Sequence, residues 1–361
     1  MAGTPSPFIV TTTDFLHVTG LSPNGTDIPE AQGINVRELL FYKISYKMYP
    51  ITILSLCVLG TLGNSLCLLI LSRSRIRSGS SAIVLRALAV SDTCMVLSYF
   101  IAIMEKYYVN NLTYVALCKI VVWGQSTFQM VSSYLVILMT VERFTAVTFP
   151  MKVGRIFTKK IITAICITVY LILMLINVPV LMYCSTTPRG CGLPQDSYAF
   201  FYGKWRNFDS TIAAYIPEIA ILILNISIIV QLARATAQQK NLRQEGGARA
   251  KKQTEQITAM LLGVSITYWI LNTPMAIFTT AAEYMFDHTN PHMYVRAYFM
   301  QVICLTLMVA NNCINFFIYC LTGKKFRDEF LTMLGCKKDK RNTSKGMAST
   351  STDQVTVSVA T

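Results

Sequence analysis

Charge is scarce in this sequence. Lys, Arg, Asp and Glu together make up 14% of its residues, against about 25% in an ordinary soluble domain. That excludes a single water-soluble globule with a charged surface. No HExxH, GxSxG or P-loop pattern occurs in the chain, so none of the signatures that would mark a metalloprotease, a serine hydrolase or a nucleotide-binding enzyme is there, and no enzyme is expected. Histidine is rare, with three residues. His288 and His292 are four apart, but Pro291 falls between them and breaks a helix there, so 287–292 reads as a solvated loop rather than a metal site. Internal repeats are missing too, and that tells against a transporter or channel assembled from paired halves. The opening MAGTPSPFIV has no basic n-region and no long apolar h-region. The first apolar span is therefore expected to serve as its own insertion signal.

What the sequence has instead is long apolar runs: 53% of it is hydrophobic and the mean hydropathy is +0.46. A membrane-crossing helix needs about 20 predominantly apolar residues. Runs of that length fall at 49–71, 82–104, 117–147, 161–182, 209–234, 253–281 and 296–320. They imply an all-α membrane protein, a seven-transmembrane helix bundle over 48–322. Residues 1–47, rich in Thr, Pro and Gly, are expected to form a disordered extracellular arm. Lys324 to Leu334 places Phe326, Phe330 and Leu331 at i, i+4 and i+5 with basic residues between. Hence a short amphipathic eighth helix is expected over 323–335 on the membrane surface, followed by a disordered, Ser/Thr-rich cytoplasmic tail over 336–361. Cys336, just after that helix, is a candidate for lipidation by palmitoylate or a plain reduced thiol.

The net charge of +14 would suit nucleic acid if it were clustered on one domain, but its placement fits membrane topology. Arg73, Arg75 and Arg77 follow span one; Lys152, Arg155, Lys159 and Lys160 follow span three. Arg234, Lys240, Arg243, Arg249, Lys251 and Lys252 follow span five, and Lys324, Lys325 and Arg327 follow span seven. Connections between these carry mixed signs, among them Glu105 with Lys106, Lys204 and Arg206 with Asp209, and Glu283 with Asp287. Basic loops alternate, and basic loops stay in the cytoplasm, so the N-terminus is expected outside. Nucleic acid is excluded as a partner. Asn24 and Asn111 then head glycosylation sequons on the outer side, whereas Asn225 and Asn342 head sequons that should be silent.

Polar residues inside the spans are the next signal, because each needs a partner in hydrocarbon. Asn64 in span one sits near Gly60 and Gly63, small residues that let helices approach closely. Asp92 in span two is the one carboxylate expected deep in the bundle. Gln125 and Gln129 of span three are four apart and share a helix face, lining either a water-filled pocket or a helix contact. Glu142-Arg143 closes that span; it either snorkels to the interface or has a function there. Pro274 puts a kink in span six.

In order and spacing, Gly60-x-x-Gly63-Asn64, Leu88-Ala-Val-Ser-Asp92, Cys118, Glu142-Arg143-Phe144, Pro217, Pro274 and Asn315-Phe316-x-x-Tyr319 resemble the rhodopsin-like G-protein-coupled receptors. The Asn-Phe-x-x-Tyr-Cys ending is similar to invertebrate neuropeptide receptors of the FMRFamide-receptor type. Several positions depart from the family pattern: Phe316 replaces a proline, Asn272 stands at the sixth-helix Trp, and Thr254 stands at the acidic residue that usually holds the Arg.

The resemblance implies a cell-surface receptor that binds an extracellular ligand and activates heterotrimeric G proteins. Glu142, Arg143, Met151, Asn225, Asn315 and Tyr319 would belong to the coupling switch. It implies ligand contacts at Gln125, Gln129, Met275, Thr279, Glu283 and Gln301, which with the aromatic second outer loop suit a short peptide. A monoamine is disfavoured because Gln125 replaces the aminergic Asp. It implies a disulfide from Cys118 to the second outer loop, where Cys191 is favoured over Cys184. It implies no cofactor, save an allosteric sodium ion on Asp92, Ser132, Asn311 and Asn315. Arrestin and receptor kinases at the Ser/Thr-rich tail, and membrane lipid, complete the implied partners. A small-molecule or chemosensory receptor is the alternative, with a transporter or channel behind it.

Overall fold

The computed structural model describes residues 39–73, 79–109, 115–187, 190–192, 205–241, 248–286 and 290–336. The sequons at Asn24 and Asn111, the arm before Leu39 and the tail after Cys336 lie outside the described residues. At Cys191 and Glu283 the description stops at the backbone.

Among the described residues, seven helices are long and apolar enough to cross a membrane. The spans fall on α1 (Leu40–Ser72), α2 (Ser80–Met104), α3 (Val115–Thr148), α5 (Lys159–Ile176) continued by α6 (Val178–Tyr183), α7 (Arg206–Ser210) continued by α8 (Ile216–Asn241), α9 (Ala248–Met285), and α10 (Pro291–Cys313) continued by α11 (Asn315–Thr322). Between α3 and α5 lies the short α4 (Pro150–Ile156), and α12 (Lys324–Met333) follows the last span. A two-stranded hairpin, β1 (Ser185–Thr187) antiparallel to β2 (Gly190–Gly192), lies against α3.

Element boundaries differ from the expectation where polar residues found partners. Helix α1 starts at Leu40, inside the stretch read as a disordered arm over 1–47, because its first turns carry Tyr42, Tyr46 and Tyr49, whose rings pack at a tilt against Tyr298 of α10 and Tyr107. Pro291 is the first residue of α10, so 291 and 292 belong to a helix and not to the loop expected over 287–292. At the first helical position its missing N–H costs nothing, and the Asn290 side chain caps the N–H groups of His292 and Met293. The last span is interrupted at Ile314 even though Phe316 has replaced the proline. The adjoining Asn315 is drawn inward to Asp92, with Nδ2 donating to Oδ2 at 2.7 Å.

The bundle core has two apolar halves with a polar layer between them. In α1, Tyr49, Ile53 and Cys57 belong to one half and Cys67, Ile70 and Leu71 to the other; Asn64 falls between. The same order repeats about Asp92 in α2 and about Asn272 in α9. Small residues close the gap between α1 and α10: a Cβ on Gly60 would lie 2.6 Å from Cys313 Sγ. Asn64 Nδ2 then reaches the Asn312 carbonyl at 3.0 Å.

Helix α12 docks by charge and by ring contacts. Arg73 at the end of α1 pairs with Glu329 at 3.1 Å. Arg327 donates to the Cys320 and Leu321 carbonyls at 2.8 Å, satisfying acceptors left open where α11 ends. Phe316 packs edge-on against Phe326 and Phe330. The ring that replaces proline thus holds the following helix in place.

Candidate functional site

Three connected features run along α3. At the end assigned by the charge pattern to the outside, here termed the outer end, a cavity of about 50 Å³ opens between α3, α7, α8, α9 and α10. Gln129, Met275 and Thr279, expected as ligand contacts, line it. Gln125 and Gln301 do not; both are buried, and neither Gln125 amide atom has a hydrogen-bond partner among the described residues. The Glu283 side chain lies outside the description. Asn272, which stands at the sixth-helix Trp, also lines the cavity, as do two carboxylates that the sequence did not single out, Asp209 and Glu218. Asp209 had read as a loop charge. Glu218 follows Pro217 directly and turns toward Thr273 of α9 rather than toward lipid. Both carboxylates are buried, which corrects the expectation that Asp92 is the one acid deep in the bundle.

Below the cavity is the polar layer. Gln129 Nε2 donates to Asn272 Oδ1 at 3.1 Å, and Asn312 Nδ2 donates to Gln129 Oε1 at 3.0 Å. A single amide therefore joins α3 to both α9 and α10. Tyr268 takes the buried position beside it and donates to Ser133 Oγ at 2.7 Å, whereas Trp269 is only half-buried. Asp92 accepts from Ser132 Oγ at 2.6 Å and from Asn315 Nδ2 at 2.7 Å. Asn311 is buried, but it is the adjacent Asn312 that ties into the layer. Asn64 Oδ1 and Asn312 Oδ1 are buried without a donor among the described residues.

At the far end of α3, Arg143 is 8% exposed and Glu142 is 2% exposed, so the pair is held by protein rather than lifted away from it. Glu142 Oε1 accepts from Ser80 Oγ at 2.6 Å and from Ser81 Oγ at 2.9 Å. Arg143 Nη2 donates to Ser81 Oγ and lies 3.5 Å from Glu142 Oε1. The first turn of α2 thus supplies contacts that no residue of the motif announces. The Thr254 and Glu255 side chains lie outside the description. Asn225 accepts from Ser265 Oγ at 2.7 Å, and Tyr319 is buried against Phe326. Met151, on α4, is 89% exposed. The expected switch residues are thus not gathered into one cleft in this arrangement.

Cys118, near the start of α3, is disulfide-bonded. Cys184 remains a thiol, buried with Val122, Val180 and Trp205. Cys191 stands in β2 opposite Thr186. Cys336 is exposed directly after α12. Among the described residues no group of three or more His, Cys, Asp or Glu could hold a metal ion.

Residues 63–319 match the family model of the 7 transmembrane receptor (rhodopsin family). The chain is similar to the Type-1 angiotensin II receptor A of Xenopus laevis, at 21% identity over 79% of this chain and 78% of that receptor. It is also similar to the FMRFamide receptor of Drosophila melanogaster, at 26% identity over 76% of this chain and 51% of that one. With the Somatostatin receptor type 2 of Mus musculus it shares 22% identity over 84% and 81% of the two chains.

Proposed function

The chain belongs to the rhodopsin family of seven-transmembrane receptors, and we propose on that footing that it is a plasma-membrane receptor, N-terminus outside, for a short extracellular peptide. The observation that carries this reading is the continuity of the site. The cavity at the outer end is floored by Gln129 and Asn272, and the same helix, α3, ends in the Glu142–Arg143 pair. The relatives named for angiotensin, FMRFamide and somatostatin support a peptide rather than a small molecule.

In the mechanism, agonist in the cavity binds one bundle arrangement better than the other and shifts the population toward it. Helix α9 swings about Pro274, Arg143 leaves Ser81, and Met151, Asn225 and Tyr319 come to line a cytoplasmic cleft for the G protein. Arrestin and receptor kinases act at the Ser/Thr-rich tail, α12 rests on lipid with Cys336 as its lipidation site, and Asn24 and Asn111 carry glycans. The reading assigns no catalysis. It is tested by screening a synthetic neuropeptide panel with calcium and cAMP readouts in transfected cells. A saturable response, absent from untransfected cells, is expected; silence across the panel from receptor shown to be at the surface would overturn it.

The Cys118 partner is assigned to Cys191, since Cys184 remains a thiol and the hairpin carrying Cys191 lies against α3. Cys191→Ala is expected to cut surface expression or agonist potency severalfold, because the loop loses its tether; Cys184→Ala should do less. Surface labelling and concentration–response curves check this, and equal tolerance of both changes would sink the pairing.

Asp92 with Ser132 offers carboxylate and hydroxyl oxygens, and Asn64 Oδ1 and Asn312 Oδ1 are spare acceptors in the same layer. That donor set fits a hard cation, and sodium held there by Asp92, Ser132, Asn311 and Asn315 would favour the resting arrangement. Agonist affinity is expected to fall as sodium replaces choline at constant ionic strength. Asp92→Asn should flatten the dependence. A wild-type curve indifferent to sodium counts against the ion.

A further inference from the structure

We propose that the outer cavity receives a cationic group of the ligand, a guanidinium or an ammonium, and that Glu218, with Asp209 beside it, supplies the counter-charge. The proposal rests on the receptor reading above and adds the ligand's chemistry to it.

Start with what the cavity contains. Among the described residues its lining includes two carboxylates and no Lys, Arg or His. Glu218 is 9% exposed, and among the described residues no cation lies within ion-pair reach of it; its polar neighbour is the Thr273 hydroxyl. A carboxylate removed from water without a positive partner is strongly destabilising, and acids retained inside a membrane bundle mark functional paths.

The backbone brings the second acid round to the same cavity. Nine residues separate Asp209 from Glu218, and at about 100° per residue that spacing puts them on opposite faces of an uninterrupted α-helix. Between them, Thr211–Tyr215 forms a wider π turn. Such turns shift the register of everything beyond them and recur at functional sites. Tyr134 of α3 fixes this one by donating to the Ile212 carbonyl at 3.2 Å, and Tyr215 bonds Thr280 of α9. The outcome is that Asp209 and Glu218 both face the cavity. The aminergic position on α3 is the neutral Gln125, so a ligand cation finds its counter-charge on α7 and α8 instead. A guanidinium there would bond Glu218 in a fork of parallel N–H···O contacts and fill the site between α8 and α9, the helix that must move.

The test uses full-length receptor purified in detergent and the amidated dipeptides Phe-Arg, Phe-Lys, Phe-citrulline and Phe-Glu as probes, with thermal unfolding as the readout. Citrulline keeps the shape of arginine and removes its charge. Saturable stabilisation by Phe-Arg-amide and Phe-Lys-amide is expected, about tenfold or more tighter than for Phe-citrulline-amide, as a charge-assisted bond implies. Phe-Glu-amide should give no shift. In Glu218→Gln that preference should vanish, while the unliganded melting temperature reports whether the variant folds; Asp209→Asn, read in the same way, should weaken it. Equal stabilisation by the Arg and citrulline probes, no stabilisation by either, or a preference that survives Glu218→Gln in folded protein would overturn the proposal. The two readings fail separately. A receptor that signals to peptides but ignores probe charge loses the counter-charge, and one stabilised by the cationic probes but silent to every peptide loses the peptide assignment.

Discussion

Replacing Arg143 by Ala is expected to reduce agonist-driven GTP exchange to the level of membranes without receptor, while agonist affinity changes by less than about twofold. The separation follows from geometry. Fourteen positions of one continuous helix separate Gln129, which lines the cavity, from Arg143, a rise of about 21 Å, and substitutions that far apart act almost independently. The resting contacts of Arg143 also predict an opposite effect next door. Its Nη2 is held by Ser81, and the same hydroxyl holds Glu142. Ser81→Ala removes both bonds and leaves Glu142 Oε1 with Ser80 and the 3.5 Å contact from Arg143. Basal GTP exchange should therefore rise, by about threefold to fivefold for a loss of about 1 kcal/mol, with no agonist present. Exchange on membrane preparations, paired with agonist binding, reads both variants. Normal exchange in Arg143→Ala would remove Arg143 from the switch, and an unchanged basal rate in Ser81→Ala would remove α2 from the restraint.

These contacts mark how far the sequence could be read. Apolar run length and basic-loop alternation gave the spans, because hydrocarbon thickness and unsatisfied backbone groups leave a chain few alternatives. That Asn64 needs a partner was readable as well, since a polar residue in an apolar run must meet another, and the grouping of Asp92 with Ser132 and Asn315 came with the family resemblance. What stayed hidden was the identity of the residue across the gap. Ser81 is 62 positions from Arg143, and Asn272 is 143 from Gln129; periodicity says which face a residue occupies but not what comes to rest opposite. Glu218 shows the same limit. One carboxylate beside a proline looks like a span edge, and nothing local announces the π turn that brings Asp209 to its side. Phe316 is a milder case. The lost proline marked a change in the local kink; the last span is nonetheless interrupted where Asn315 bonds Asp92, and the freed position became a ring that seats α12.

The amide of Gln129 is where ligand and switch meet, and its removal carries the second large effect. It lines the cavity, donates to Asn272 on α9 and accepts from Asn312 on α10. Asn272 is held in turn by donating to the Tyr268 carbonyl at 2.9 Å, so the restraint is anchored in the backbone of the helix that moves. Interhelical hydrogen bonds in a membrane average about 0.6 kcal/mol and reach about 1.7 kcal/mol. Losing two of them shifts the ratio of resting to active arrangement by about one order of magnitude. Gln129→Leu is therefore expected to raise ligand-free signalling by about tenfold, and Asn272→Leu by about threefold, since it removes one bond and leaves Asn312 in place. Because the two residues share a bond, the double variant should exceed Gln129→Leu by less than the product of the single effects. Ligand-free signalling normalised to surface receptor is the quantity to measure, because both residues also touch the cavity and agonist potency would mix two effects. Basal signalling that stays at the wild-type level in both single variants, or single effects that multiply in full, would show that Gln129 does not restrain α9.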